Sequence, residues 1–219
     1  MKHLMVRYVP VMLNCEGKNC LIIGGGPVAE RKAETLVEAG ADVHIVSPKL
    51  SGRLIAMAEE AVARWTCREY KEGDLEGAFL VYAASSSPEV NGRVAAEARR
   101  LGIMVNVASE GEAGDFISPA VLRRGRLTVA VSTAGAGPAA AVNLCRRLEE
   151  ELGDEFEVYL DFLHELRAAV KEKVQSPTAR RRLLRKIVEI DILQDIRRGD
   201  FVPWSPDKID RWITHNQEE

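Results

Sequence analysis

No run of 18 apolar residues occurs anywhere in this 219-residue chain, which excludes a membrane-spanning helix of ordinary length. The N-terminal stretch Met1 to Leu13 is interrupted by Arg7 and Pro10, so it makes a poor signal peptide, and Val9-Pro10-Val11-Met12-Leu13 reads better as an edge strand. Cysteine is sparse: Cys15, Cys20, Cys67 and Cys145 show no Cys-x-x-Cys spacing. Cys20 and Cys145 sit in apolar patterns as buried thiols, which fits a reducing, cytoplasmic compartment. The four histidines (His3, His44, His164, His215) are scattered, so no metal-ligand cluster is expected. Charge of one sign is also lacking. The net charge of −3 excludes bulk nucleic-acid binding, and the local run Arg180-Arg181-Arg182-Leu183-Leu184-Arg185-Lys186 reads as the solvated face of an amphipathic helix.

What is present is concentrated in Cys20-Leu21-Ile22-Ile23-Gly24-Gly25-Gly26-Pro27-Val28-Ala29. A short apolar strand runs into three glycines and a helix begins at once. In the pattern Gly24-x-Gly26-x-x-Ala29, Gly24 permits the tight turn and Gly26 lets backbone approach a pyrophosphate. Ala29 lets the helix pack close to the strand. The N–H groups at the helix start then face phosphate oxygens. A glycine-rich turn without a ligand is the alternative; the preceding strand, the following helix and a second strand on schedule favour the dinucleotide.

Apolar spacing predicts a helix over Ala29 to Ala39 ended by Gly40, a strand over Asp42 to Ser47, a helix over Leu50 to Val62 and a short strand over Thr66 to Glu69. The continuous apolar run Phe79 to Ala84 predicts a buried parallel strand. Ser85-Ser86-Ser87-Pro88 opens a helix that Gly102 closes, and Met104 to Val107 is the next strand. Strands alternating with helices predict an α/β, Rossmann-like parallel sheet. Phe116 to Leu122 and Leu127 to Thr133, joined across Gly125, read as a hairpin, and everything from Pro138 on reads as helix. The expected division is a Rossmann-like domain over 1–112, a small β-rich dimerisation segment over 113–150, and a C-terminal helical domain over 151–219. Amphipathic helices with few internal partners imply a homodimer.

Four blocks carry a family resemblance across residues 8 to 150: Tyr8 to Leu13; Gly24-Gly25-Gly26-Pro27-Val28-Ala29-Glu30-Arg31-Lys32; Asn106-Val107 followed by Asp115-Phe116-Ile117-Ser118-Pro119-Ala120; and Leu127 to Thr133 before Gly135-x-Gly137-Pro138. The chain resembles the precorrin-2 dehydrogenase/ferrochelatase module of sirohaem biosynthesis, without the methyltransferase domain fused in some relatives. The resemblance implies oxidation of precorrin-2 to sirohydrochlorin with NAD⁺ as hydride acceptor, and Fe²⁺ insertion in some members. Precorrin-2 carries eight carboxylates, so the implied pocket is basic. Arg123, Arg124 and Arg126 at the hairpin tip, with Arg146 and Arg147, are candidate partners, and solvated arginines are the alternative. Thr133 stands where relatives carry a hydroxyl residue near the macrocycle; a strand-end cap is its other reading.

The cofactor candidates are Gly24, Gly26, Pro27 and Val28 at the pyrophosphate, Ser47, Pro48 and Lys49 at the adenosine ribose, and Ser85, Asn106 and Val107 on the nicotinamide side. No Asp or Glu follows the second strand, so the usual carboxylate for the ribose 2′-hydroxyl is missing; NAD rests on the resemblance, and Lys49 could meet a 2′-phosphate. The family's acid/base aspartate corresponds here to Ser109. Three outcomes are open: Glu110 substitutes, Asp115 substitutes, or the pyrrolic proton passes to water without a side-chain base. Lacking that carboxylate, the chain is expected to insert Fe²⁺ weakly or not at all. A short-chain reductase is excluded because no tyrosine is followed by a lysine four residues on. A non-catalytic NAD- or tetrapyrrole-binding protein of the same fold is the remaining alternative.

Overall fold

The computed structural model describes residues 8–110 and 113–217. The expectations attached to residues 1–7, His3 among them, and to a boundary at 112 lie outside the described residues. The chain divides into two compact units, one ending at Ser118 and the other beginning at Pro119.

The first unit is a parallel sheet of five strands, β1 (Asn19–Ile23), β2 (Asp42–Val46), β3 (Arg64–Thr66), β4 (Leu80–Ala83) and β5 (Met104–Val107), in the order β3-β2-β1-β4-β5. The change of direction falls at β1, where β2 and β4 flank it with Ile23 opposite Val46 on one side and Ala83 on the other. Helices α1 (Pro27–Glu38) and α2 (Gly52–Glu59) contribute Ala29, Ala33, Leu36, Leu54 and Met57 to one core with Cys20, Ile22, Ile45 and Tyr82. Helix α3 (Pro88–Leu101) contributes Val94, Ala95 and Ala98 to the other, with Leu21, Ile23, Val81 and Val105. Successive strand residues thus face opposite cores, which is why β1 and β4 read as unbroken apolar runs rather than alternating ones. Gly40 (φ +72°) and Gly102 (φ +68°) end α1 and α3 in the left-handed region, and Ser87 caps α3 by accepting the Val90 N–H.

The free edge of β5 is covered by the segment after it. Asp115 N–H donates to Val105 O at 2.7 Å, the Asp115 carboxylate accepts the Val105 N–H at 3.0 Å, and Asn106 Nδ2 donates to Phe116 O at 2.8 Å. Gly114 lies so close to the strand that a Cβ there would stand 2.6 Å from Val105 O. A side-chain carboxylate in place of a ladder carbonyl satisfies the edge without extending the sheet.

The second unit begins with the hairpin β6 (Ala120–Arg124) and β7 (Leu127–Val131), whose register closes a turn at Gly125-Arg126. Helices α4 (Pro138–Glu151), α5 (Glu155–Lys173), α6 (Pro177–Lys186), α7 (Ile192–Arg198) and α8 (Pro206–Gln217) follow. Leu166, Val170, Val174, Leu183 and Ile187 are fully buried at their centre, and Phe162 meets Phe201 and Trp204 edge-on at 5.7 and 5.1 Å. Ser176 accepts the Ala179 N–H and starts α6 with Pro177 in its first turn.

Three expectations are corrected. Val9 to Leu13 is not a strand: Pro10 offers no N–H, the β5 edge is already occupied, and Val9, Val11 and Met12 stay exposed. The third strand lies at Arg64–Thr66 rather than Thr66 to Glu69, because the Arg68 N–H folds back to Thr66 O and its guanidinium is held by both Asp74 oxygens at 2.7 Å. Phe116 is bonded to the β5 edge, and Phe116 to Pro119 lies outside the hairpin, which begins at Ala120.

Burial pushes the Cys20 thiol up to about 12, with Cys15 next in effect, and burial likewise raises Tyr70, whose hydroxyl donates to the buried Glu97 carboxylate. Both groups hold their proton more tightly folded than unfolded, so their contribution is complete below the unfolded values and is lost as pH rises through the folded ones. Urea denaturation is expected to show stability falling as pH rises from 9 towards 12, with Cys20→Ala and Tyr70→Phe each flattening that fall.

Candidate functional site

The turn between β1 and α1 is wedged between two neighbouring strand ends. Gly24 has φ +132°, and a Cβ there would lie 2.3 Å from Ala84 O. A Cβ on Gly25 would lie 2.0 Å from Lys49 O and 2.8 Å from Ser47 Oγ. Around Gly26 there is open space. The turn is bonded on both sides: Gly24 N–H to Val46 O at 3.0 Å, Ser51 N–H to Gly25 O at 2.8 Å, and Ala84 N–H to Ile23 O at 2.8 Å. No side chain caps α1, whose first residue is Pro27, so the first-turn N–H groups and the helix dipole are left for an anion. Gly24, Gly26, Pro27 and Val28 therefore lie together at an uncapped helix start, with open space beside Gly26. Gly25 was given no part by the motif, although its lack of a side chain is as necessary as that of Gly24; a third consecutive glycine was the signal.

At the exit of β2 the three ribose candidates behave differently. Ser47 is buried; its hydroxyl donates to Lys49 O at 2.7 Å and its carbonyl accepts Trp65 Nε1–H at 2.9 Å. Pro48 and Lys49 are exposed. Ser47 thus fixes the loop, while Lys49 presents its side chain outward. The Glu30 carboxylate of α1 is engaged by the Ser51 hydroxyl at 2.6 Å.

At the exit of β4, Asn91 holds Ser85 from both sides, accepting its N–H at 3.0 Å and donating to its carbonyl at 2.9 Å. Asn91 is 2% exposed and is absent from the sequence-based candidates. Its signal was legible: it lies three, four and seven residues before Val94, Ala95 and Ala98 on the buried stripe of α3, where a polar residue needs a partner.

At the exit of β5, Asn106 and Val107 are buried, and the Asn106 amide is committed to Phe116 O. Ser109 and Glu110 follow, both exposed, just past the last ladder bond, Ala108 N–H to Ala83 O. Asp115 is placed elsewhere: its carboxylate is bound to the backbone of Val105, in the middle of β5 rather than at its carboxyl end. On the α1 side of β4, Lys32 Nζ lies 5.1 Å from the Tyr82 ring centre, Tyr82 meets Phe116 edge-on at 5.4 Å, and its hydroxyl lies 3.3 Å from Ser118 Oγ. Burial, then the neighbouring Arg31, lowers the Lys32 ammonium below the usual lysine range, and burial raises the Tyr82 hydroxyl.

The macrocycle candidates all lie in the second unit. Arg124 is within 3.3 Å of both Glu149 and Asp154, and Arg126 pairs with Asp161 at 2.7 Å, while Arg123 is exposed. Arg146 and Arg147 are exposed on α4. The Thr133 hydroxyl donates to Gly137 O at 3.2 Å, bracing the loop that opens α4. His44, expected to be structural, bonds Thr66 Oγ1 at 2.8 Å, and burial followed by Arg64 lowers its ionisation. Among the described residues no group of three or more His, Cys, Asp or Glu could hold a metal ion, and no helix is long and apolar enough to cross a membrane.

Comparison with known proteins agrees with this geometry. Siroheme synthase 1 of Aeromonas salmonicida (strain A449) is 37% identical over 194 residues, which is 88% of this chain and 42% of the relative. Siroheme synthase of Chromobacterium violaceum is 35% identical over 195 residues, 89% of this chain and 42% of the relative. The chain thus spans less than half the length of these curated relatives. The solved structure of SirC, precorrin-2 dehydrogenase, superposes with a TM-score of 0.74 over 97% of this chain and 100% of that one, at 24% identity, and so has the same fold. The sequence family described as "Putative NAD(P)-binding" matches residues 11–120, which hold the glycine turn and all five strands of the sheet. The chain belongs to this NAD(P)-binding family.

Proposed function

We propose that this chain is an NAD⁺-dependent dehydrogenase that oxidises precorrin-2 to sirohydrochlorin in sirohaem biosynthesis. The observation that carries the reading is likeness to siroheme synthases over 88% of the chain, with the open, uncapped glycine turn at the carboxyl edge of the sheet. The fold shared with the structure of SirC, precorrin-2 dehydrogenase, supports it.

NAD⁺, when bound, supplies the hydride acceptor. The residues present fit it: Gly26 and the first turn of α1 receive the pyrophosphate, the loop Ser47 to Lys49 borders the ribose, and Ser85 with Asn106, Val107 and Ser109 borders the nicotinamide. Asn91 keeps Ser85 in place, so this side of the pocket is set before any ligand arrives. Proton removal is assigned to water at the exposed end of β5, with the exposed Glu110 beside it as the alternative. Asp115 is committed to Val105, and a serine of ordinary acidity at 109 is no base near neutral pH. Arg123, exposed at the hairpin, is the tip arginine best suited to a substrate carboxylate, since Arg124 and Arg126 already face acids. Thr133 is retained as a second candidate. A cytoplasmic location accords with the four free cysteines, three of them buried. A homodimer built on residues 113–150 accords with the exposed Val121, Val142, Leu144 and Leu148 of that segment.

Incubation with precorrin-2 and NAD⁺ is expected to yield NADH and the absorption of sirohydrochlorin in equal amounts. Macrocycle binding without NADH would favour the non-catalytic reading. With Fe²⁺ and sirohydrochlorin as substrates, the wild type is expected to form sirohaem slowly, and Ser109→Asp to raise that rate by about tenfold or more. Unchanged insertion in Ser109→Asp, beside a fast wild type, would refute the assignment. Sedimentation is expected to give a dimer that the double substitution Val142→Lys, Leu144→Lys converts to monomer.

A further inference from the structure

Lys32 is a half-buried ammonium with no acid to neutralise it. It lies on the second turn of α1 and rests over the Tyr82 ring, 5.1 Å from its centre. It makes no ion pair with the described residues, and its charged neighbour is Arg31, of like sign. The acids of α1 on either side are engaged elsewhere: Glu30 accepts from the Ser51 hydroxyl at 2.6 Å, and Glu34 pairs with Arg53 at 3.2 Å. Half-burial of an uncompensated charge opposes folding, and an anion arriving from solution relieves that cost.

Two hydroxyls complete the cluster. Tyr82 Oη and Ser118 Oγ are 3.3 Å apart, and Ser118 is exposed. Burial raises the Tyr82 hydroxyl, so it keeps its proton and stays a donor. Ammonium, phenol and serine together offer donors and no carboxylate, a composition that suits a carboxylate ligand. The cluster lies towards the nicotinamide side. Tyr82 is the penultimate residue of β4, in register with Asn106 of β5, and Ser85 follows it three residues on. The hairpin arginines Arg124 and Arg126, by contrast, already face acids.

We infer that Lys32, with the Tyr82 and Ser118 hydroxyls, is a carboxylate-binding site that anchors one acid group of the macrocycle. The identity of that ligand rests on the proposed oxidation of precorrin-2. An ammonium seated on an aromatic face has a fixed position, so it orients the ring as well as attracting it.

Titration of the whole chain with sirohydrochlorin, followed by its absorption, and with NADH, followed by nicotinamide fluorescence, tests it. Lys32→Met, which keeps a contact with the Tyr82 ring, is expected to weaken sirohydrochlorin by about tenfold and NADH by less than about twofold. It is also expected to raise KM for precorrin-2 by about tenfold, with a smaller effect on kcat. Lys32→Arg is expected to bring binding back to within about threefold of wild type. Ser118→Glu, at an exposed position, sets an acid against the incoming carboxylate and is expected to weaken sirohydrochlorin by at least about tenfold. Raising the salt should narrow the difference between wild type and Lys32→Met. Unchanged sirohydrochlorin binding in Lys32→Met and Ser118→Glu, or equal losses for sirohydrochlorin and NADH, overturns the inference. Wild type that binds sirohydrochlorin through Lys32 but forms no NADH from precorrin-2 upholds the inference and overturns the proposed oxidation. Wild type that neither binds sirohydrochlorin nor turns over precorrin-2 overturns both.

Discussion

The approach of three backbone segments at one point governs this molecule. Where β1 ends, Gly24 leans on the carbonyl of Ala84 and Gly25 on the carbonyl of Lys49, each at a distance that admits no Cβ. The two glycines let the exits of β4 and β2 close around the start of α1, and the bonds Gly24 N–H to Val46 O and Ala84 N–H to Ile23 O fix the result. The order β2-β1-β4 puts the strand-order reversal at this place, and a crevice opens at such a reversal because the connecting helices leave to opposite faces. Packing thus pins an uncapped helix end at this point, the kind of end that suits an anion.

The remaining site is built by polar side chains that serve the backbone. Asn91 grips Ser85, Ser47 grips Lys49, and Asn106 and Asp115 tie the segment after β5 to its edge. Each is a side chain of a type expected to touch ligand, yet each spends its hydrogen bonds on backbone carbonyl or N–H groups, of a loop or, for Asp115, of β5. Buried polar groups left unpaired are costly, so these pairings hold the rim of the pocket in one shape. The groups left exposed along this edge are the helix start, Lys49, Ser109 and Glu110.

The departure at Ser109 separates two demands within one fold. Hydride removal, in the proposed reaction, needs a bound dinucleotide, for which the sheet edge offers an uncapped helix start. Metal insertion needs a base for two ring nitrogens, and the end of β5 carries none in the family position. The segment that follows uses its acid, Asp115, to finish the sheet, which leaves the exposed Glu110 as the acid beside Ser109.

The sequence alone determined the parallel α/β sheet, because apolar runs of strand length alternate with helices whose caps, Gly40, Ser87 and Gly102, are local signals. It also determined the glycine turn into α1, since the conformational need of Gly24 is expressed within the run itself. Tertiary structure decided what local pattern cannot carry. Thr66 to Glu69 matched a strand by composition, but the Arg68–Asp74 pair turned the chain. Val9 to Leu13 matched an edge strand, but the edge was taken by Asp115 and Phe116. Asp115 and Ser47 matched catalytic and ribose-binding roles by position along the chain, and only the folded backbone showed which unpaired group each satisfies. A hydrogen-bond partner depends on residues distant in sequence, so side-chain type gives the capacity to bond and the fold alone assigns the partner.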